Sequence, residues 1–572
     1  MKFSGGFAYW LTFVLMAGFV VLESVLPVQH AFALQAKPLR QSQTALQIDF
    51  AIDLSQPRSP ISPFIYGSNR VDQQVPWVSV RLGGNRWTGY NWENNASNAG
   101  SDWFHSNDDF VCWFLSCPDS NQPAAALHTF LEMVQTSGGH YGLLTLPMAG
   151  YVAADKNGEV GVDQVAPSSR WKNINFNKPA PYETTPNLGD EWVYVDELVA
   201  HLVSEYGESA ASAVRRGYSL DNEPDLWSYT HPRLHPSQTT VSELIQRNVA
   251  LASAVKSVDP SAEIFAPVHY GFWGMMTLQD APDWFELRNG YAWFVDYYLE
   301  QMHLHSVSRN LRLLDVFDFH WYPEAQGCGK RILWSEVGDE CLQWARMQAP
   351  RSLWDETYRE DSWIGQWFDE YLPLLPRLQS SIQTYYPGTK LALTEFSYGA
   401  ENHISGGIAV ADVLGILGKY SVYLATFYPL EENSDYVRGA YQIYRNYDGQ
   451  GSSFGNISVW SQSSDIENAS IYAAIHDLNV SQLHLIVVNR NLHQAVQGNF
   501  SIESPLNYHS MDAWILDQES PNVRMFFDNK QISSNRFLIN IPPLTVLHLV
   551  LQSAQAVPLN RLYLPLIHSS SP

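Results

Sequence analysis

Charge is scarce in this 572-residue sequence: Asp, Glu, Lys and Arg together make up only 16% of it. The basic residues are the rarer kind, 34 against 58 acidic ones, for a net charge of −24. So little positive charge leaves no electrostatic footprint for nucleic acid or for an anionic membrane surface. Long apolar runs are nearly missing as well. The exception, residues 7–22, lies behind Lys2 and ahead of Ala31-Phe32-Ala33. That is the layout of an export signal, here residues 1–33, cut after Ala33. An uncleaved anchor is the alternative, although the run is near the short end for a spanning helix. The mature protein is expected to be secreted, monomeric and free of the membrane. Cysteine is limited to Cys112, Cys117, Cys328 and Cys341, none in a metal-type CxxC pattern. Four cysteines in an exported chain allow three pairings. The two local ones, Cys112–Cys117 and Cys328–Cys341, are expected, each stapling a loop.

What the chain does have is hydrophobic mass, 45%, and aromatics, 13%, including 20 Trp. That is enough for a full core, and 572 residues give room for two domains. Flat rings beyond what a core requires suit sugars, which present apolar C–H faces. Residues 44–54 alternate apolar and polar side chains, the period of a half-buried strand. Eight further strands are expected at 64–67, 78–82, 141–146, 218–221, 263–267, 316–320, 391–394 and 422–427, separated by helical or long loop segments. Residues 127–134 and 195–202, for example, place Leu, Phe and Val at helical spacing. Eight strands alternating with helices give a (β/α)8 TIM-like barrel over 59–453. A doubly wound nucleotide-binding sheet is disfavoured because residues 64–69 lack the Gly-rich phosphate turn. From residue 454 to 553 short β-rich runs replace the alternation, as in an antiparallel β-sandwich. The early strand, within 34–58, has no place in a barrel and is expected to join that sandwich. Residues 554–572 form a tail.

In barrel enzymes the chemistry sits at the C-terminal ends of the strands. The strand ending at Asp221 runs into Asn222-Glu223-Pro224, and proline stops it there. The strand 391–394 delivers Glu395 in the same way. Two glutamates so placed suggest a glycosidase carboxylate pair. Asn222 and Trp227 beside Glu223, Tyr398 after Glu395, and Asn85, Trp92, His320, Trp321 and Tyr322 at other strand ends are candidates for binding sugar, with Arg81, His269 and Tyr270 nearby. Core packing is the competing role for each aromatic. Glu93, Asp102, Asp108 and Asp109 crowd one loop, and hard carboxylate oxygens suit a structural Ca²⁺. Solvated acidic residues are the plainer explanation, and hydrolysis needs no cofactor.

Several longer runs resemble glycoside hydrolase family 44, a family of endoglucanases and xyloglucanases. They are Gly83-Gly84-Asn85-Arg86-Trp87-Thr88-Gly89-Tyr90-Asn91-Trp92, Leu220-Asp221-Asn222-Glu223-Pro224, Phe319-His320-Trp321-Tyr322-Pro323-Glu324, Gln348-Ala349-Pro350-Arg351-Ser352-Leu353-Trp354-Asp355 and Thr394-Glu395-Phe396. Phe396 departs from the Tyr expected after the nucleophile. The resemblance implies a barrel with an added β-sandwich and a retaining endo-β-1,4-glucanase acting on cellulose-type glucan or xyloglucan. It implies Glu223 as acid/base and Glu395 as nucleophile. The stretch from Cys112 to Cys117 is less family-like. A related barrel enzyme acting on mannan or xylan, or a non-catalytic polysaccharide-binding protein, are the alternatives.

Overall fold

The computed structural model describes residues 45–553 apart from 184 and 334–336. The export signal and the C-terminal tail expected from the sequence lie outside the described residues.

Eight parallel strands close into a barrel: β2 (Gly67–Ser68), β3 (Ser79–Leu82), β4 (Tyr141–Leu146), β5 (Arg215–Leu220), β6 (Glu263–His269), β7 (Val316–Trp321), β8 (Lys390–Phe396) and β9 (Leu424–Phe427). Seven of the eight expected strands coincide with these; the first, expected at 64–67, is mostly a 3-10 turn, Pro63–Ile65, and its strand is only Gly67–Ser68. The side chains of the barrel strands are buried almost without exception, as they must be when one face fills the barrel and the other meets helices. The N-terminal end of the barrel is plugged by Tyr141, Leu143, Phe265, Val316, Ala392 and Leu424. Glu263 is tied there to Tyr141, Tyr423 and Lys390. The opposite end is left to polar side chains.

The outer layer includes α2 (Ala125–Thr136), α3 (Val195–Tyr206), α4 (Val241–Val258), α5 (Phe294–Arg309) and α6 (Leu374–Tyr385). Before them α1 (Phe110–Leu115) sits in the long loop after β3. Helix α2 buries Leu127, Phe130, Leu131 and Val134, the stripe its sequence period requires. Helix α4 starts at Thr240, whose hydroxyl accepts the Glu243 N–H. Helix α7 (Ile404–Lys419) is buried on nearly all sides. It is the middle layer, with barrel on one face and a second sheet on the other. Helix α8 (Asp435–Arg445) packs beside it.

That second sheet runs through β10 (Ile457–Ser463), β11 (Ala469–His476), β12 (Asn479–Asn489), β13 (Val496–Glu503), β14 (Tyr508–Asp517), β15 (Ser520–Gln531), β16 (Arg536–Ile541) and β17 (Thr545–Ser553). Its order is β15-β14-β17-β12-β11-β10-β1-β13-β16, where β1 is Leu46–Asp53. Strand β1 is antiparallel to β10 and parallel to β13, and the other pairings along this order are antiparallel. Ile48, Phe50 and Ile52 enter a core with Val487, Phe500, Ile539 and Leu549. Strand β13 has no apolar run because buried Val496, Phe500 and Ile502 alternate with polar outward residues, while β15 is largely exposed, Met525 and Phe526 included.

The barrel and this sheet meet through Asp412 of α7. Its carboxylate accepts from the Tyr472 hydroxyl at 2.7 Å and from Arg490 at 2.8 Å, and it also bonds Ser470. Gly415, one turn on, lets the Tyr472 ring lie against the helix backbone; a Cβ there would stand 2.2 Å from the ring. Disulfides join Cys112 to Cys117 and Cys328 to Cys341. Among the described residues no helix is long and apolar enough to cross a membrane.

Candidate active site

The C-terminal mouth of the barrel gathers side chains from five strands. At the end of β5 the chain turns sharply. Asp221 and Glu223 both have left-handed backbones, φ +69° and +48°, which non-glycine residues adopt only when held there. The Asp221 carboxylate does the holding. It accepts from the Thr88 hydroxyl at 2.6 Å and from the backbone N–H groups of Met148 and Asn222 at 2.5 and 2.8 Å. Pro224 then starts a short 3-10 turn. Asn222 and Glu223 are thereby aimed across the mouth. Strand β7 supplies His320 and then Tyr322, and β8 supplies Glu395, with a register shift at His320.

The two glutamates face one another. His320 Nδ1 is 2.7 Å from Glu223 Oε1 and 3.6 Å from Glu395 Oε2. The nearest oxygens of the two carboxyls and the imidazole nitrogen all fall within 4.8 Å of one another. Tyr322 donates its hydroxyl to Glu395 Oε2 at 2.7 Å. Arg81 donates to Glu395 Oε1 at 2.6 Å, to Asn222 Oδ1 at 2.7 Å and to Asn69 Oδ1 at 3.0 Å. Gly83 passes so close to this guanidinium that a Cβ would lie 2.2 Å from it. Glu223 keeps 14% of its side-chain surface exposed and Glu395 only 6%, so Glu223 stands nearer the solvent-filled mouth.

These surroundings push the two carboxyls apart. Burial raises the Glu223 pKa, and the charges of Glu395 and Asp225 add to it against the opposing hydrogen bond and charge of His320. Burial would raise Glu395 too. There it is outweighed by His320, Arg81 and the Tyr322 hydroxyl, which hold the carboxyl below its ordinary value. Burial works against a charged His320, but the two glutamates raise its pKa above the usual imidazole value. Beneath them Asp318 is lifted to about 6 by burial.

Of the other residues expected to bind sugar, Asn222 and Tyr322 touch this centre. Asn85 lies beside it, its amide bonding Asp102 at 3.0 Å and standing 3.5 Å from Asn222 Nδ2. Trp92, Trp227, Trp321 and Tyr398 do not offer a ring face to a ligand, because all four are fully buried. The Trp227 indole donates to Asp221 and packs on His235, and the Trp92 indole donates to the Tyr194 carbonyl. Their place is in the walls that hold the mouth open. The four acidic residues expected around a calcium ion do not converge. Glu93 pairs with Lys172 in the interior, Asp102 accepts from Asn85, Asp108 pairs with Arg86 and accepts the Phe110 N–H, and Asp109 precedes α1 without its carboxylate capping the helix.

Tyr428 was not anticipated. It follows β9, is half exposed, and its phenol is pushed up by burial first and then by the charges of Glu395, Asp102 and Glu223. Its only sequence signal is an aromatic directly after the eighth strand, before Pro429. Asn69 also escaped notice, as a small polar residue behind a two-residue strand. His269 and Asp225 form a second buried pair, 3.0 Å apart, at the end of β6. A backbone irregularity there, with Val268 at φ +62°, turns His269 inward.

The model of glycoside hydrolase family 44 matches residues 96–325. The endoglucanase A of Paenibacillus lautus is 50% identical over 526 residues, 91% of this chain and 75% of that protein. The β-mannanase/endoglucanase A of Caldicellulosiruptor saccharolyticus is 46% identical over 509 residues, 86% of this chain but only 38% of that protein. A solved family 44 xyloglucanase of Paenibacillus polymyxa in complex with xyloglucan is 50% identical, with a TM-score of 0.87. The match covers 89% of this chain and 100% of that one.

Proposed function

The chain belongs to glycoside hydrolase family 44, and from that premise we propose that it is an exported endo-acting enzyme cleaving β-1,4 bonds of a glucan, cellulose-type or xyloglucan, with retention of configuration. The observation that carries the reading is the unequal pair Glu223 and Glu395. Their nearest oxygens stand within 4.8 Å, a close approach that favours the roughly 5–5.5 Å carboxyl spacing of a retaining pair over the about 6.5–9.5 Å of an inverting one.

Glu395, held ionised by Arg81, Tyr322 and His320, attacks the anomeric carbon as the glycosidic bond breaks. Glu223, whose pKa is raised, gives its proton to the departing oxygen. Water then enters. Glu223 takes its proton as the water oxygen attacks the same carbon, and Glu395 leaves with its electron pair. His320 bridges both carboxyls and so follows the negative charge as it moves between them. Asn222, fixed by Arg81 and the Gly84 N–H, is placed to bond the 2-hydroxyl, a contact that tightens in the transition state. Two comparisons support the substrate class: the nearly full-length match to an endoglucanase and the likeness to a xyloglucanase solved with its polysaccharide.

The test is azide rescue of two variants. Glu395→Ala has no nucleophile, so azide should attack from the opposite face and yield the inverted α-glycosyl azide. Glu223→Ala should still react with an activated aryl glycoside, because that leaving group needs no proton. Its glycosyl-enzyme should accumulate until azide releases it as the β product. General acid–base assistance is worth about 10²–10⁴-fold, so the Glu223 loss should be far smaller on the aryl substrate than on polysaccharide. Reversed stereochemistry would swap the two roles. Full activity in both variants would place the chemistry elsewhere.

A further inference from the structure

The loop between β3 and β4 carries aromatic surface that no catalytic step uses. On α1, Phe110 is 37% exposed, Trp113 71% and Phe114 49%. Phe110 and Phe114, one helical turn apart, lie nearly parallel with centroids 5.8 Å apart, and the Trp113 ring is 5.4 Å from Phe110. So much exposed ring surface is costly in water unless something covers it. It is also held still. The Cys112–Cys117 disulfide closes the helix, while Cys112, Val111 and Leu115 anchor its other face in the core. The Arg86 guanidinium lies 4.1 Å over Phe110 and pairs with Asp108, and Arg70 lies 5.8 Å from Phe114.

Both arginines belong to active-site loops. Arg86 follows Asn85, which reaches Asn222, and Arg70 follows Asn69, which bonds Arg81. The aromatic face is therefore continuous with the catalytic mouth. Trp103 and Phe104, also exposed, come directly after Asp102, which bonds Asn85. The chain's large negative charge disfavours an acidic polymer on this face, whereas a neutral extended sugar chain can lay its C–H faces on rings and its hydroxyls beside guanidinium edges.

We propose that the α1 face, centred on Trp113 and Phe114, is a distal platform for the same β-glucan chain whose scissile bond lies between Glu223 and Glu395. This rests on the glucanase reading of the site. It predicts that long chains gain from the platform and that short ones, which cannot span the distance, do not.

The experiment compares the full-length protein with its Trp113→Ala/Phe114→Ala variant on an aryl β-cellobioside and on a long soluble glucan such as hydroxyethylcellulose or xyloglucan. Expected is an unchanged kcat/KM on the aryl glycoside and about a tenfold fall on the polymer, equivalent to about 1.4 kcal/mol. Migration in native gels containing the polymer should be retarded for the parent and less so for the variant. Opening the staple with Cys112→Ser/Cys117→Ser should produce part of the same loss with the rings still present. Equal kcat/KM on the polymer with unchanged gel retardation would overturn the proposal. So would a parent that is dimeric and a variant that is monomeric with the same polymer binding, since the face would then serve a second copy. If the parent cleaves no glucan, the glucanase reading fails, and the gel result alone decides whether the platform binds one.

Discussion

Arg81 and Glu395 form a 2.6 Å ion pair from which solvent is almost shut out, and the same guanidinium fixes Asn222. Removing one partner of a buried pair leaves the other uncompensated, at a cost of about 3–5 kcal/mol. Arg81→Met should therefore lower the melting temperature. It should also move the acidic limb of kcat/KM to higher pH, because only His320 and Tyr322 are then left to oppose the effect of burial on Glu395. An acidic limb that stays in place would assign that limb to another group.

The pH profile follows from the opposite shifts of the two carboxyls. With Glu395 as the proposed nucleophile, activity should be lost as pH falls through that lowered pKa. It requires Glu223 protonated, so it is lost as pH rises through that raised pKa. The profile is a bell wider than two ordinary carboxyls would give.

The same shift has a stability consequence. Glu223 binds its proton more tightly in the folded state than in the unfolded one, whose carboxyl titrates near about 4.3. Its contribution is intact below that value and is lost as pH rises through the folded pKa. Glu223→Gln removes the cost of charging. Its melting temperature relative to the parent should rise as pH climbs above about 4.3 and through the raised folded pKa, and a difference independent of pH would contradict the assignment.

Two aromatics at the mouth should respond differently. Trp227 is a buried wall residue, so Trp227→Ala should cost about 3–5 kcal/mol of stability. Tyr428 is half exposed among the acidic groups of the site. Tyr428→Ala should raise KM several-fold, about 1 kcal/mol of lost ring contact, with little change in thermal unfolding. Calorimetry and steady-state kinetics on both variants separate the cases.

The barrel and the β-sheet domain should unfold together. Asp412, Arg490 and Tyr472 are buried across their junction, and Gly415 leaves room for one ring and nothing more. Asp412→Ala should destabilise the protein by about 3–5 kcal/mol, and Gly415→Ala should also be costly. A single calorimetric transition that moves as a whole is expected. Two transitions, only one of them displaced, would mean the sheet folds independently.

The barrel was legible because its strands are buried on both faces and read as short apolar runs bounded by Pro and Gly. Glu223 and Glu395 were legible because each ends such a run. Trp92, Trp227, Trp321 and Tyr398 were not. A buried ring in the wall and an exposed ring in the cleft have the same local sequence, and only tertiary packing separates them. The linking function of Arg81 was hidden for a related reason: its partners Asn69, Asn222 and Glu395 come from three distant segments. The acidic residues of the β3 loop misled because crowding in sequence is not convergence in space. Strand β13 carries no apolar run because its polar residues alternate with buried ones, and β15 shows little period because it is exposed along most of its length.

Strand β1 has a consequence for how the protein is made and damaged. Phe50 pairs with Ser463 on one side and with Phe500 on the other, and the entire barrel lies between them in sequence. During synthesis this strand must wait, unpaired, until the barrel and much of the sheet have emerged. Its late insertion closes a very long loop, a slow step by its entropy, and it leaves an apolar strand exposed in the interim. Once in place it acts as a clasp. A protease that nicks one barrel loop leaves two fragments still gripped by a shared sheet, so a cut visible on a denaturing gel need not release either piece.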